Sequence, residues 1–129
     1  MDTSKEACVN YMRVSAIQNQ QKQALIRKNY NEIYAHELAH KNAGGSLAGP
    51  IVIEKNQDGI PVGGHVSIKM PKLNKNNPEE TIQQANIVMR AALAPGEPSE
   101  QDKIVASQAR KLKSEAEDVK TEQKLDFYA

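Results

Sequence analysis

The sequence predicts a small α+β domain in which one long helix, a β-hairpin and two further helices follow in order. Three observations lead there. Residues 15–41 contain neither Pro nor Gly and are rich in helix formers. Two β-branched runs flank Asn56-Gln57-Asp58-Gly59, a turn signal of the Asp-Gly type. Asn77-Pro78 and Ser99 with Asp102 are helix starts, each followed by apolar residues at helical spacing.

The long helix is expected from about Ser15 to Lys41, with Ile26, Tyr30, Ile33 and Glu37 on one stripe and Gly44-Gly45 ending it. The preceding residues lack periodicity, so 1–15 are expected as a flexible N-terminal segment. The hairpin is expected over roughly 50–56 and 61–69, where Val66 and Ile68 alternate with His65, Ser67 and Lys69. Gly63-Gly64 inside its second strand suggests a bulge or a close backbone approach. The next helix runs from Pro78 to about Ala94, with Ile82, Ala85, Val88, Met89 and Ala92 on one face, until Pro95-Gly96-Glu97-Pro98 breaks it. A last helix is expected over about 99–123, with Ile104, Val105, Ala109 and Leu112 able to pack. Its end, 114–129, is nearly all charge and is expected in solvent. Residues 16–113 then form one domain.

Composition narrows the function classes. A chain of 129 residues can bury a modest core, and with one Phe, four Tyr and no Trp that core must come from Ala, Val, Ile and Leu. Seventeen basic residues against sixteen acidic give no basic face for nucleic acid. No apolar run approaches the ~20 residues of a membrane span. The stretch MDTSKEACVNYMRVSA does not read as a secretory signal, and the cytoplasm is the expected compartment. Cys8 is the single cysteine, so an internal disulfide is excluded and a cysteine-based metal site is disfavoured.

Tyr34-Ala35-His36-Glu37-Leu38-Ala39-His40 contains the pattern H-E-x-x-H. On a helix, His36 and His40 stand one turn apart on one face, and both imidazoles can reach a Zn²⁺ at ~2.0–2.1 Å. Glu37 lies to the side of that face, where a carboxylate can act as general base toward a water activated by the metal. The same spacing also describes a solvated helix face, so the five residues alone do not decide. A catalytic zinc needs three protein ligands and one open position. His65, the third histidine of the chain, is the leading candidate for the third ligand. Glu54 on the opposing strand is its rival, and each is otherwise an ordinary exposed strand residue. Ser46, six after His40, excludes the metzincin extension of the motif. Tyr30, Tyr34 and Arg90 are weaker candidates for stabilising an oxyanion, since such residues more often pack or solvate a helix.

Three runs, YAHELAHKNAGGSLAGP, NQDGIPVGGHVSIKMP and ETIQQANIVMRAALAPGEPSEQD, resemble the SprA-related family, bacterial proteins described as metalloproteases on the strength of this motif. The resemblance covers about residues 34–110. It implies a minimal zincin-like domain, with Zn²⁺ as cofactor, His36 and His40 as ligands, Glu37 as base and a peptide or protein as substrate. Members commonly carry Glu at the position of His65; both types ligate zinc, so that exchange fits a third-ligand role. Two other classes compete: a non-catalytic zinc-stabilised binding module, and a metal-free helical interaction protein.

Overall fold

The computed structural model describes residues 3–128. In chain order it comprises α1 (Thr3–Gly44), a short 3-10 turn (Gly45–Leu47), β1 (Ala48–Lys55), β2 (Pro61–Ile68), α2 (Pro78–Ala92) and α3 (Glu100–Tyr128). The two strands pair as one antiparallel sheet, so the expected α+β order of helix, hairpin, helix, helix is found.

The helix bounds differ from expectation at two places. α1 begins at Thr3, not near Ser15. Side chains 4–14 are all exposed, so this stretch buries no face and needs no apolar stripe. Hydrophobic periodicity reports packing; the absence of Pro and Gly permits the helix regardless. Of the segment expected to be flexible, Met1 and Asp2 lie outside the described residues, and the remainder is helical. α3 likewise continues to Tyr128, and its charged end is not wholly in solvent. Ala116 is fully buried and Val119 half-buried. Ala129 lies outside the described residues.

The chain divides into two compact units. The first joins Met1–Tyr34 to Ile53–Gly64. Here the hairpin closes as its turn residues predict. The Asn56 carbonyl accepts from the Gly59 amide at 3.0 Å, and the Asn56 amide donates to the Ile60 carbonyl at 2.9 Å. Asn56 Oδ1 accepts from the amides of Asp58 and Ile60, and Gly59 takes the left-handed φ of +77° that a side chain resists. Asn29 Nδ2 donates to the carbonyl of the buried Pro61 at 3.0 Å, tying the start of β2 to α1. Tyr30 and Tyr34 stack with ring centroids 5.7 Å apart. Of the Gly63-Gly64 pair, where a bulge or a close approach is expected, Gly63 would place a Cβ in ordinary contact with Glu54 Oε2 at 3.8 Å.

The second unit joins Ala35–Val52 to His65–Ala129 and holds the core. Its buried apolar residues are Ile82, Val88 and six alanines: Ala85, Ala91 and Ala92 of α2, with Ala106, Ala109 and Ala116 of α3. The core is therefore as thin as the composition predicts, and methyl-sized side chains let α2 and α3 lie close. Polar ties secure their ends. Asn77 caps α2 by accepting from the Glu80 amide at 3.3 Å. The buried Thr81 hydroxyl accepts from the Asn74 amide at 2.9 Å, anchoring the preceding loop. Lys120 pairs with Glu79 at 2.7 Å and Gln123 donates to the Lys75 carbonyl at 2.6 Å, holding the far part of α3 to the start of α2 and to the loop before it.

The glycines that end α1 have different tasks. Gly44 is helical and buried; a Cβ there would lie 2.9 Å from Ala48 Cβ and 3.0 Å from Ile68 Cδ1. Gly45 has open space around it but a φ of +53°. One glycine admits neighbours, the other turns the chain.

Candidate metal centre

The last turns of α1 present His36, Glu37 and His40 as a group whose ligand atoms all lie within 4.8 Å of one another, close enough to hold a metal ion. Helical spacing sets this up: His36 and His40 are four apart, their rings meeting edge-on with centroids 4.9 Å apart and Nε2 atoms 3.3 Å apart. Burial is graded across the group. Glu37 is 6% exposed and His40 4%, whereas the His36 side chain keeps 31%. The cluster therefore has a sealed side and an open one.

The other nitrogen of His40 is committed. Its Nδ1 lies 2.7 Å from the Ala91 carbonyl in the last turn of α2. A carbonyl can only accept, so Nδ1 carries the proton, and in the neutral ring Nε2 is left as a lone pair. Outer partners of this kind orient histidines that bind metals. The Ala91 carbonyl lies in the last turn of α2 and also accepts from the Ala94 amide at 3.4 Å, so it uses both lone pairs. Two imidazole nitrogens beside a carboxylate form a donor set suited to Zn²⁺ among other divalent transition ions.

A fourth residue reaches the imidazoles. Asp102 Oδ2 lies 3.2 Å from His40 Nε2 and 3.5 Å from His36 Nε2. Asp102 stands in the first turn of α3, held by a reciprocal cap: its Oδ2 accepts from the Ser99 amide at 2.8 Å, and its amide donates to Ser99 Oγ at 3.1 Å. Sequence reasoning found Asp102 as a capping residue and missed its position at the imidazoles. A cap is a local signal, and nothing in it says what the carboxylate faces across the fold.

His65 and Glu54, the sequence candidates for a third ligand, sit exposed on β2 and β1 and are not members of the His36–Glu37–His40 group. Tyr30, Tyr34 and Arg90 are also exposed. Among the described residues no helix is long and apolar enough to cross a membrane.

Residues 4–127 match the SprA-related family, which extends the resemblance beyond the three runs to nearly the whole chain. No curated protein and no solved structure matches.

Proposed function

We propose that this chain, which belongs to the SprA-related family, is a zinc-dependent peptidase-like domain that hydrolyses peptide bonds with Glu37 as general base. The observation that carries the reading is the pairing of a nearly buried Glu37 with two imidazoles that share one face of α1, the Nε2 of His40 being freed by the Ala91 carbonyl. His36 and His40 would hold the metal. Bound there, zinc would supply Lewis acidity, bringing the pKa of a water toward ~7 and polarising the scissile carbonyl. Glu37 takes the proton of the attacking water and returns it to the leaving amine. Its burial keeps competing water away from the carboxylate, and the open side at His36 admits the peptide or protein substrate.

Replacing Glu37 with Gln removes the base and leaves both histidines in place. The variant is expected to retain zinc and to lose hydrolysis of a peptide library by about 100-fold or more. Equal cleavage by the variant and the wild type refutes the mechanism.

A second reading is favoured by one observation: the cluster draws together α1, α2 through Ala91 and α3 through Asp102. A zinc at such a junction would stabilise a thin-cored domain whether or not it performs catalysis. This binding-module reading predicts zinc-dependent stability with no cleavage by the wild type.

A further inference from the structure

We propose that Asp102 is the third protein ligand of the metal centre, delivered by the first turn of α3. The inference rests on the reading of His36, Glu37 and His40 as a metal centre, and it assigns a donor that the motif does not contain.

Three atoms surround one point: His36 Nε2, His40 Nε2 and Asp102 Oδ2, with edges of 3.3, 3.2 and 3.5 Å. Donors bound tetrahedrally at ~2.0–2.1 Å stand about 3.3–3.4 Å apart, because each edge is about 1.63 times the bond length. The triangle already has the size of one face of a zinc tetrahedron. The donor types agree as well, since two imidazoles and one carboxylate with one position left open form a known catalytic ligand set.

The local chemistry keeps the carboxylate available. Ser99 donates its amide to Oδ2, which fixes the side chain's direction and still leaves a lone pair toward the imidazoles. The Asp102 side chain is 18% exposed, so the carboxylate is partly open to an incoming ion. A metal bound here joins residues 62 apart in sequence, His40 of α1 and Asp102 of α3, so loading also clamps the start of α3 onto the end of α1.

The competing account is that Asp102 only pairs with or orients the histidines. Loss of an orienting partner typically costs ~10–100-fold in metal affinity. Loss of a ligand costs more and changes the coordination sphere. The test compares zinc affinity and the visible spectrum of bound Co²⁺ in the full-length wild type, Asp102→Asn, Asp102→His and His36→Ala. Asn keeps an acceptor for the Ser99 amide, so the cap survives.

The expected results are zinc binding weaker by more than 100-fold in Asp102→Asn and a Co²⁺ spectrum altered in Asp102→His, where a nitrogen replaces an oxygen donor. Binding of zinc by Asp102→Asn within 10-fold of wild type, with His36→Ala losing it, overturns the assignment of Asp102 and leaves the metal centre standing. No zinc in the wild type overturns both. Should Asp102→Asn fail to fold, the Co²⁺ spectrum of Asp102→His decides: a shift supports ligation, and an unchanged spectrum overturns it.

Discussion

Replacing Gly44 with Ala should destabilise the protein by about 1–2 kcal/mol, by a route that the same change at Gly45 does not share. The new Cβ would stand 2.9 Å from Ala48 Cβ, 3.0 Å from Ile68 Cδ1 and 3.5 Å from Ala91 Cβ. Carbon atoms prefer about 3.5–4.0 Å, so the first two contacts are too short by roughly 0.5–1 Å. Ile68 Cδ1 ends a flexible side chain and can rotate away. Ala48 Cβ is bonded to the backbone at the start of β1, so relief there requires backbone movement. Overpacking of this kind costs ~1–3 kcal/mol, while removing a glycine from helical backbone returns up to ~1 kcal/mol. Gly44 has helical angles, φ −77° and ψ −22°, so that offset applies and the net stays destabilising.

Gly45 has no neighbour within 4 Å of a Cβ but a φ of +53°. Its cost is backbone strain of ~1–2 kcal/mol for Ala and less for Asn, which tolerates the left-handed region. The two positions should therefore rank substitutions in opposite orders. At Gly44, Asn is worse than Ala because it is larger; at Gly45, Ala is worse than Asn. Urea unfolding of the four variants at 25 °C measures this directly. If Asn at position 44 proves no worse than Ala, the packing argument is wrong. If the order at position 45 does not reverse, the strain argument is wrong.

Zinc at about 100 times its dissociation constant should stabilise the wild type by ~2.7 kcal/mol, read as a rise in melting temperature that is absent in His36→Ala. Equal shifts in both proteins would place the bound metal elsewhere. Truncation after Ser114 should destabilise by about 2 kcal/mol, from the buried methyl of Ala116 and the half-buried Val119, with little added by the exposed Lys120–Glu79 pair. Unchanged unfolding of the truncated chain would mean that α3 beyond Ser114 contributes nothing.

Local signals carried most of the fold. Asn56 and Gly59 marked the hairpin turn, Asn77-Pro78 the start of α2, and Ser99 with Asp102 the start of α3, because each acts through hydrogen bonds or backbone angles within a few residues. Elements defined by packing alone were harder to read. α1 before Ser15 carries no apolar stripe because it buries no face, so the period that normally reveals a helix is missing. The packed part of α3 beyond Ser114 is hidden because its packed residues are one alanine and one half-buried valine among charges, too sparse to make a stripe.

The candidate site was half legible for a similar reason. His36, Glu37 and His40 share one helix, where sequence spacing is spatial spacing. Asp102 meets them only after the hairpin and α2 have been traversed, and its capping role already accounted for its presence. Counting histidines points to His65, whereas the donors that meet the imidazoles are set by tertiary placement, which residue type does not report.

Ala91 contributes to the cluster with its backbone alone. Its carbonyl, in the last turn of α2, accepts from the Ala94 amide at 3.4 Å and keeps a second lone pair for His40 Nδ1 at 2.7 Å. The His40 ring is thus oriented by the last turn of α2, just ahead of the break at Pro95 and Gly96. Mutations that lengthen or shorten α2 would move the partner that orients the His40 ring without touching any side chain in the cluster.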